Sequence, residues 1–345
     1  MNQAVAKSGD QRIETLRGIA IIAVVAHHVD LWVMNIIATQ GGVPGLSEQL
    51  FTTVSEFLAP VRIPLFTLLS GWVYALRPVS FADTKPFFQG KFRRIVIPLI
   101  FMSTVMYFMT LLLTDSLPTL FAKPPIPVPV HEFWKTWFWH FGHLWFLQAL
   151  LLIFAVVFLI DSLKLMDNLA TWIFWLAVGV ALYRYVPGWH EFMSASHAAK
   201  IFVFFLVGVG LQRFSSFIFS VPYLAWASIP LCIALVANEM SQYPRWYILL
   251  FCGATAPVVL LALNWVWQPL VALGKYSYTI FLWHGVTILV GATLFKSLDS
   301  SAYGLLGVGL LAGSLLVPMW MERSLQTVPV VNTCFFGKKA GTRAT

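Results

Sequence analysis

Apolar residues fall along the chain in long blocks, separated by short stretches rich in charge, Pro, Gly or other polar residues. The blocks lie near 16–38, 57–76, 95–114, 141–160, 170–186, 199–212, 215–237, 246–264, 270–295 and 302–320. Most are close to the roughly 20 residues that a helix needs to cross a bilayer, and far longer than a buried strand. The pattern therefore predicts an all-α, polytopic integral membrane bundle of about ten transmembrane helices. The sixth and seventh blocks are the least separated, since Phe202 to Phe219 is almost continuously apolar and only Gln212, Arg213 and two serines mark a turn. Counts of nine and eleven stay open there.

Composition sharpens this picture. Hydrophobic residues make up 59% of the 345 positions and charged residues 10%, against roughly 45–50% and about 25% in soluble domains. The formal charge of +8 would suggest nucleic acid in a soluble protein, but here membrane topology accounts for it and no nucleic-acid partner is expected. With the N-terminus inside, fifteen Lys and Arg fall on the cytoplasmic side and six on the other, with Arg62 inside a span. That bias predicts both termini in the cytoplasm. The first block lacks a small-residue cleavage site and reads as a retained helix. Residues 1–325 read as one transmembrane domain and 326–345 as a short, disordered cytoplasmic tail. Cys232, Cys252 and Cys334 are odd in number and widely spaced, so neither a disulfide framework nor a metal site is expected.

The first block carries the sharpest chemical signal. Arg17 and His28 are eleven positions apart, about three helical turns, which puts them within about 20° on one face and about 16 Å apart along the axis. Glu14, one turn before Arg17, is placed to orient its guanidinium. An imidazole this deep usually faces a bundle interior or a watery cavity; a histidine that merely bonds a neighbouring helix is the alternative.

The stretch from Arg12 to His28, an Arg and a His separated by ten residues, resembles the first-helix signature of the acyltransferase 3 family. Further stretches follow in the family's order. Pro64–Gly71, with Phe66 and Ser70, resembles its Phe-rich Ser-Gly segment, and Lys91, Arg93, Arg94 and Pro98 resemble the basic start of its third helix. His143-Leu-Trp145-Phe146-Leu resembles the motif at the outer start of its fourth helix. Gly274-Lys275-Tyr276-Ser277-Tyr278 with His284 resembles its Ser-Tyr…His helix. Glu322 stands where the family often has Glu-x-Pro, although Ser324 replaces the Pro.

The resemblance implies a membrane-bound O-acyltransferase, and most specifically an O-acetyltransferase of a cell-surface or exported glycan in the plasma membrane, here a bacterial inner membrane. It would take acetyl-CoA or another acyl-CoA as donor, with a carbohydrate acceptor and membrane lipid as partners and no metal; self-association is left open. His28 is the candidate base or, alternatively, an acyl carrier, since an imidazole can take the hydroxyl proton and return it to the thiol. His284 is expected at nearly the depth of His28, as a second base or an orienting group. Arg17 is expected to orient the donor, and Lys91, Arg93 and Arg94 to hold its phosphates, or else to serve as ordinary positive-inside anchors. Ser70 is a donor-site hydroxyl or, preferably, a small residue that allows close packing with Gly71. His143, Trp145, Ser277 and Glu322 are candidates for the acceptor. Trp137, Trp139 and His140 join Trp145 as an interfacial belt or the floor of a sugar entrance. A transporter or flippase would also explain mid-membrane polar groups, and a cytochrome would use His28 and His284 as haem ligands.

Overall fold

A computed structural model describes residues 10–39, 41–77, 79–113, 128–187, 192–214, 229–230, 233, 245–294 and 303–338. The described residues are overwhelmingly helical. In chain order the helices are α1 (Gln11–Thr39), α2 (Leu46–Phe57), α3 (Ala59–Ala75), α4 (Thr84–Lys91), α5 (Ile97–Leu112), α6 (Lys135–Phe138), α7 (Trp145–Ser162), α8 (Leu169–Tyr185), α9 (Ala195–Arg213), α10 (Arg245–Ala262), α11 (Gln268–Lys275), α12 (Ser277–Leu294), α13 (Tyr303–Leu325) and α14 (Pro329–Phe336).

Six segments among these residues are long and apolar enough to cross a membrane: Gln11–Thr39, Phe81–Leu112, Gly142–Ser162, Ala195–Arg213, Ser277–Leu294 and Gly304–Leu325. A seventh arises if α2 and α3, bent by 42° at their junction, count as one. The helices Leu169–Tyr185 and Ile248–Ala262 are apolar but shorter. Apart from residues 229, 230 and 233, the expected span at 215–237 lies outside the described residues.

Two sequence boundaries shift for visible reasons. The block at 270–295 is two helices, α11 and α12, with Tyr276 between them. The block at 95–114 begins earlier, at Phe81, because α4 leads through a π-helical turn, Phe92–Val96, directly into α5. Pro98 lacks an N–H and so cannot donate to the carbonyl of Arg94 four residues earlier. The Tyr278 hydroxyl of α12 donates to that carbonyl instead. A tyrosine in one motif thus bonds the backbone of another.

The chain divides into two compact units. The first comprises Met1–Ala20, Leu58–Phe88 and Ala149–Lys275; the second comprises Ile21–Phe57, Gln89–Gln148 and Tyr276–Thr345. In the first, α3 and α9 meet backbone to backbone: a Cβ on Gly71 would sit 2.1 Å from the Phe205 carbonyl oxygen, and one on Gly208 would sit 2.0 Å from that of Leu68. Ile13, Leu16 and Ala20 of α1 share a core with Leu65, Leu68 and Leu69 of α3.

In the second unit α12 packs on α13, while α14 packs on α5 and α12. The disordered tail expected after residue 325 is instead a helix over 329–336, started by Pro329 and ended by Gly337 at φ +60. Aromatic burial holds it there. Phe335 stacks on Phe101 with centroids 4.7 Å apart and lies 5.2 Å from Trp283, whose Nε1 donates to the Phe335 carbonyl at 3.2 Å.

Candidate active site

Three imidazoles come together in the second unit from three separate elements. His28 is on α1, His284 is on α12, and His143 lies in a 3-10 turn, Gly142–Leu144, just before α7. Ring centroids are 4.9 Å apart for His28 and His284, 4.4 Å for His143 and His284, and 6.2 Å for His28 and His143. His27 adjoins His28 at 5.4 Å. His284 is fully buried and His143 is 6% exposed, while His28 is only partly buried.

Local structure explains each placement. Gly142 has φ +52, a left-handed conformation that glycine takes without penalty, and this turns the chain into the His143 position. The Gln148 side chain donates to the carbonyls of Trp137 and Trp139, both at 3.0 Å, and so secures the preceding loop. Opposite His143, α12 carries Gly285 directly after His284. A Cβ there would lie 2.5 Å from His143 Cε1 and 2.7 Å from its Nδ1, so the missing side chain makes the room that the imidazole occupies. In the sequence Gly285 is marked only by following His284.

The hydrogen bonds assign tautomers, because a carbonyl oxygen can only accept. His28 Nδ1 donates to the Val24 carbonyl at 2.9 Å, which leaves Nε2 with the lone pair. His284 Nδ1 faces the carbonyls of Phe281 at 2.8 Å and Ile280 at 3.2 Å, and its Nε2 is buried with no hydrogen-bond partner among the described residues. His143 Nε2 donates to the Leu282 carbonyl at 3.3 Å. A buried acceptor without a donor costs about 1–3 kcal/mol.

The remaining sequence candidates distribute unevenly. His143 leaves the aromatic group expected at an outer entrance: it is buried beside His284, whereas Trp145 stacks on the exposed His140 with centroids 6.4 Å apart and an interplanar angle of 7°. Ser277 is buried at the start of α12. Both oxygens of Glu322, expected at the acceptor, are engaged, one by the Thr279 hydroxyl and one by the Lys338 ammonium. Ser70, a donor-site hydroxyl or a packing residue on its sequence, donates to the Phe66 carbonyl of its own helix at 2.9 Å, and its neighbour Gly71 admits α9.

At the other end of α1, in the first unit, Arg17 Nη1 donates to Glu14 Oε1 at 2.8 Å, as the spacing predicts. That turn is pinned by α11. A Cβ on Gly274 would be 1.8 Å from the Glu14 carbonyl oxygen, and one on Gly18 would be 2.3 Å from that of Leu270. The Gly-Lys-Tyr-Ser segment therefore contributes its glycine to holding the arginine's helix. In the second unit, Lys91, Arg93 and Arg94 sit at the end of α4 and in the π-helical turn; Arg94 is exposed and Arg93 partly buried. Among the described residues no group of three or more His, Cys, Asp or Glu is arranged to hold a metal ion.

A family model described as Acyltransferase domain, that of the acyltransferase 3 family, matches residues 10–323, nearly the whole chain. No curated protein matches the chain, and no solved structure does.

Proposed function

Because the chain belongs to the acyltransferase 3 family, and is an integral membrane acyltransferase, we propose that it transfers an acyl group, foremost acetyl, from cytoplasmic acyl-CoA to a hydroxyl of a cell-surface or exported glycan. The proposed setting is a bacterial inner membrane, with ten helices and both termini cytoplasmic. The observation that carries the reading is the cluster of His28, His143 and His284, in which His28 and His284 each turn a ring nitrogen away from their own helix.

In the proposed reaction the lone pair on His28 Nε2 takes the acceptor's hydroxyl proton as the oxygen attacks the thioester carbonyl. The C–O bond forms, the C–S bond breaks, and the imidazolium returns the proton to the departing thiolate. His284, with its Nδ1–H committed to its own helix, offers Nε2 as an acceptor that orients and stabilises the imidazolium during that interval. His143, wedged against Gly285, fixes the His284 ring from the far side. Arg17, steadied by Glu14, is proposed to hold the donor from the cytoplasmic end of α1, with Lys91, Arg93 and Arg94 binding phosphate oxygens. Ser277 and Trp145 are proposed to flank the acceptor path.

The test is to compare surface polysaccharide by NMR from cells carrying the wild-type protein and cells carrying His28→Ala at equal membrane abundance. Loss of the O-acyl signal is expected. An O-acyl signal of wild-type intensity rejects His28 as the base.

A further inference from the structure

The part of the second unit that carries Lys91, Arg93 and Arg94 holds a further cation. Tyr278, whose hydroxyl bonds the Arg94 carbonyl, lies two residues after Tyr276. The Tyr276 hydroxyl accepts from Arg323 Nε at 3.1 Å, and the Arg323 guanidinium lies over the Tyr276 ring, with Cζ 5.1 Å from its centroid. The end of α14 closes on the same place. A Cβ on Gly337 would sit 3.2 Å from the Arg94 carbonyl oxygen and 3.1 Å from the Tyr278 ring, and Lys338 Nζ is 6.0 Å from the Tyr276 centroid. Four segments thus converge, 89–96, 276–278, 322–325 and 332–338. They hold five Lys and Arg but a single carboxylate, Glu322, which is buried and already bonded by Lys338.

Arg323 is set apart by how it is held. The bond from Nε and the contact with the Tyr276 ring fix the plane of its guanidinium, yet the residue is exposed. Among the described residues its two Nη nitrogens make no hydrogen bond and no carboxylate pairs with it. A cation in the last turn of a helix also complements the helix dipole, and one beside a membrane attracts anionic headgroups, but neither role needs a fixed plane. A planar fork anchored by a tyrosine is suited to paired phosphate oxygens.

Several cations around one carboxylate that is already engaged call for an anion of more than one charge. Coenzyme A, with a diphosphate and a separate phosphate monoester, is such an anion. We infer that Arg323 binds a phosphate of the acyl-CoA donor through its Nη edge, alongside Lys91, Arg93 and Arg94, with Tyr276 as the positioning residue that presents the fork. The inference rests on the acyl-CoA reading above. Energy from binding remote parts of a substrate is what orients the reacting part, so this contact acts on the thioester without touching it.

The test measures acetyl-CoA affinity, at low and high salt, of the full-length protein held in phosphatidylcholine nanodiscs, for the wild type and three variants. Arg323→Gln removes the charge at an exposed position. It is expected to weaken acetyl-CoA about tenfold or more, the loss of a hydrogen bond between charged groups, and to flatten the salt dependence of binding. Arg323→Lys keeps the charge without the fork, and Tyr276→Phe keeps the ring without the hydroxyl that anchors it; both are expected to fall between wild type and Arg323→Gln. Wild-type affinity in Arg323→Gln overturns the inference. So does weaker binding with an unchanged salt dependence, which marks a structural role. A difference between wild type and Arg323→Gln that emerges only when phosphatidylglycerol is added assigns the arginine to lipid headgroups and overturns it as well. If the wild type binds no acetyl-CoA, the donor reading itself fails; if the wild type binds and Arg323→Gln matches it, only this inference does.

Discussion

Two buried polar clusters, one in each compact unit, are completed differently. In the first unit the Arg213 guanidinium forks onto the Asp161 carboxylate, with Nη1 to Oδ1 at 2.8 Å and Nη2 to Oδ2 at 2.5 Å. The Tyr74 hydroxyl donates to Asp161 Oδ2 at 2.7 Å. Opposite charges meet there in bidentate geometry, tying α3, α7 and α9 together. In the second unit three imidazoles gather instead, and His284 Nε2 has no hydrogen-bond partner among the described residues. A bidentate pair of opposite charges ties its helices together, whereas clustered like groups that are costly to ionise gather at functional sites. The comparison favours a structural role for the first cluster and is what the reaction proposed for the second requires.

The largest expected effect is that of His28→Ala, which should lower transfer by roughly 10²–10⁴-fold, the usual contribution of a general base, without lowering the melting temperature of the purified protein. Asp161→Ala is its mirror image. It leaves Arg213 buried and unpaired and should destabilise the fold by about 3–5 kcal/mol, read as a lower melting temperature and less protein in the membrane, while correctly folded molecules keep their turnover. A fully stable but inactive Asp161→Ala protein would erase the distinction between the two clusters. Gly285→Ala sharpens it: the added methyl displaces His143, and a misplacement of about 1 Å near the reacting groups costs about 10²-fold in rate, so turnover should fall well before stability does. The smallest effect is at Arg17. Arg17→Lys keeps the charge but loses the planar fork, and should weaken acetyl-CoA binding by less than Arg17→Ala, which is expected to cost roughly tenfold or more. Equal losses in the two variants would show that bidentate geometry, and not charge, is what the donor needs.

How much was legible varied from residue to residue. Glu14 and Arg17 pair as their three-residue spacing predicts, because neighbours on one helix are fixed by helical geometry alone. His28 and His284 were expected at similar depth, and they meet. His143 was read with the aromatic residues around it, because sequence proximity groups it with Trp145 and His140; only the left-handed Gly142 turn and the gap at Gly285 separate it from them. Ser70 and Glu322 were offered as site residues on motif position, yet one hydroxyl is taken by its own helix and one carboxylate by Lys338. The partner of Glu322 lies in the stretch expected to be disordered, so no reading of the motif by itself reveals that the carboxylate is occupied.

By itself the sequence determined the solvent this protein folds in and its helical class, which follow from run length and composition, and its family, which rests on the resemblance of its motifs. It also determined that Arg17 and His28 share a face of one helix. Only the tertiary structure decided which imidazoles share a site and which carboxylates are already satisfied. The physical reason is that the register between helices is set by side-chain volume: glycines at 71, 208, 274 and 285 admit neighbours at distances that any Cβ would forbid. Whether a glycine is merely small or is the point of contact depends on what faces it, and that is written in a different part of the chain.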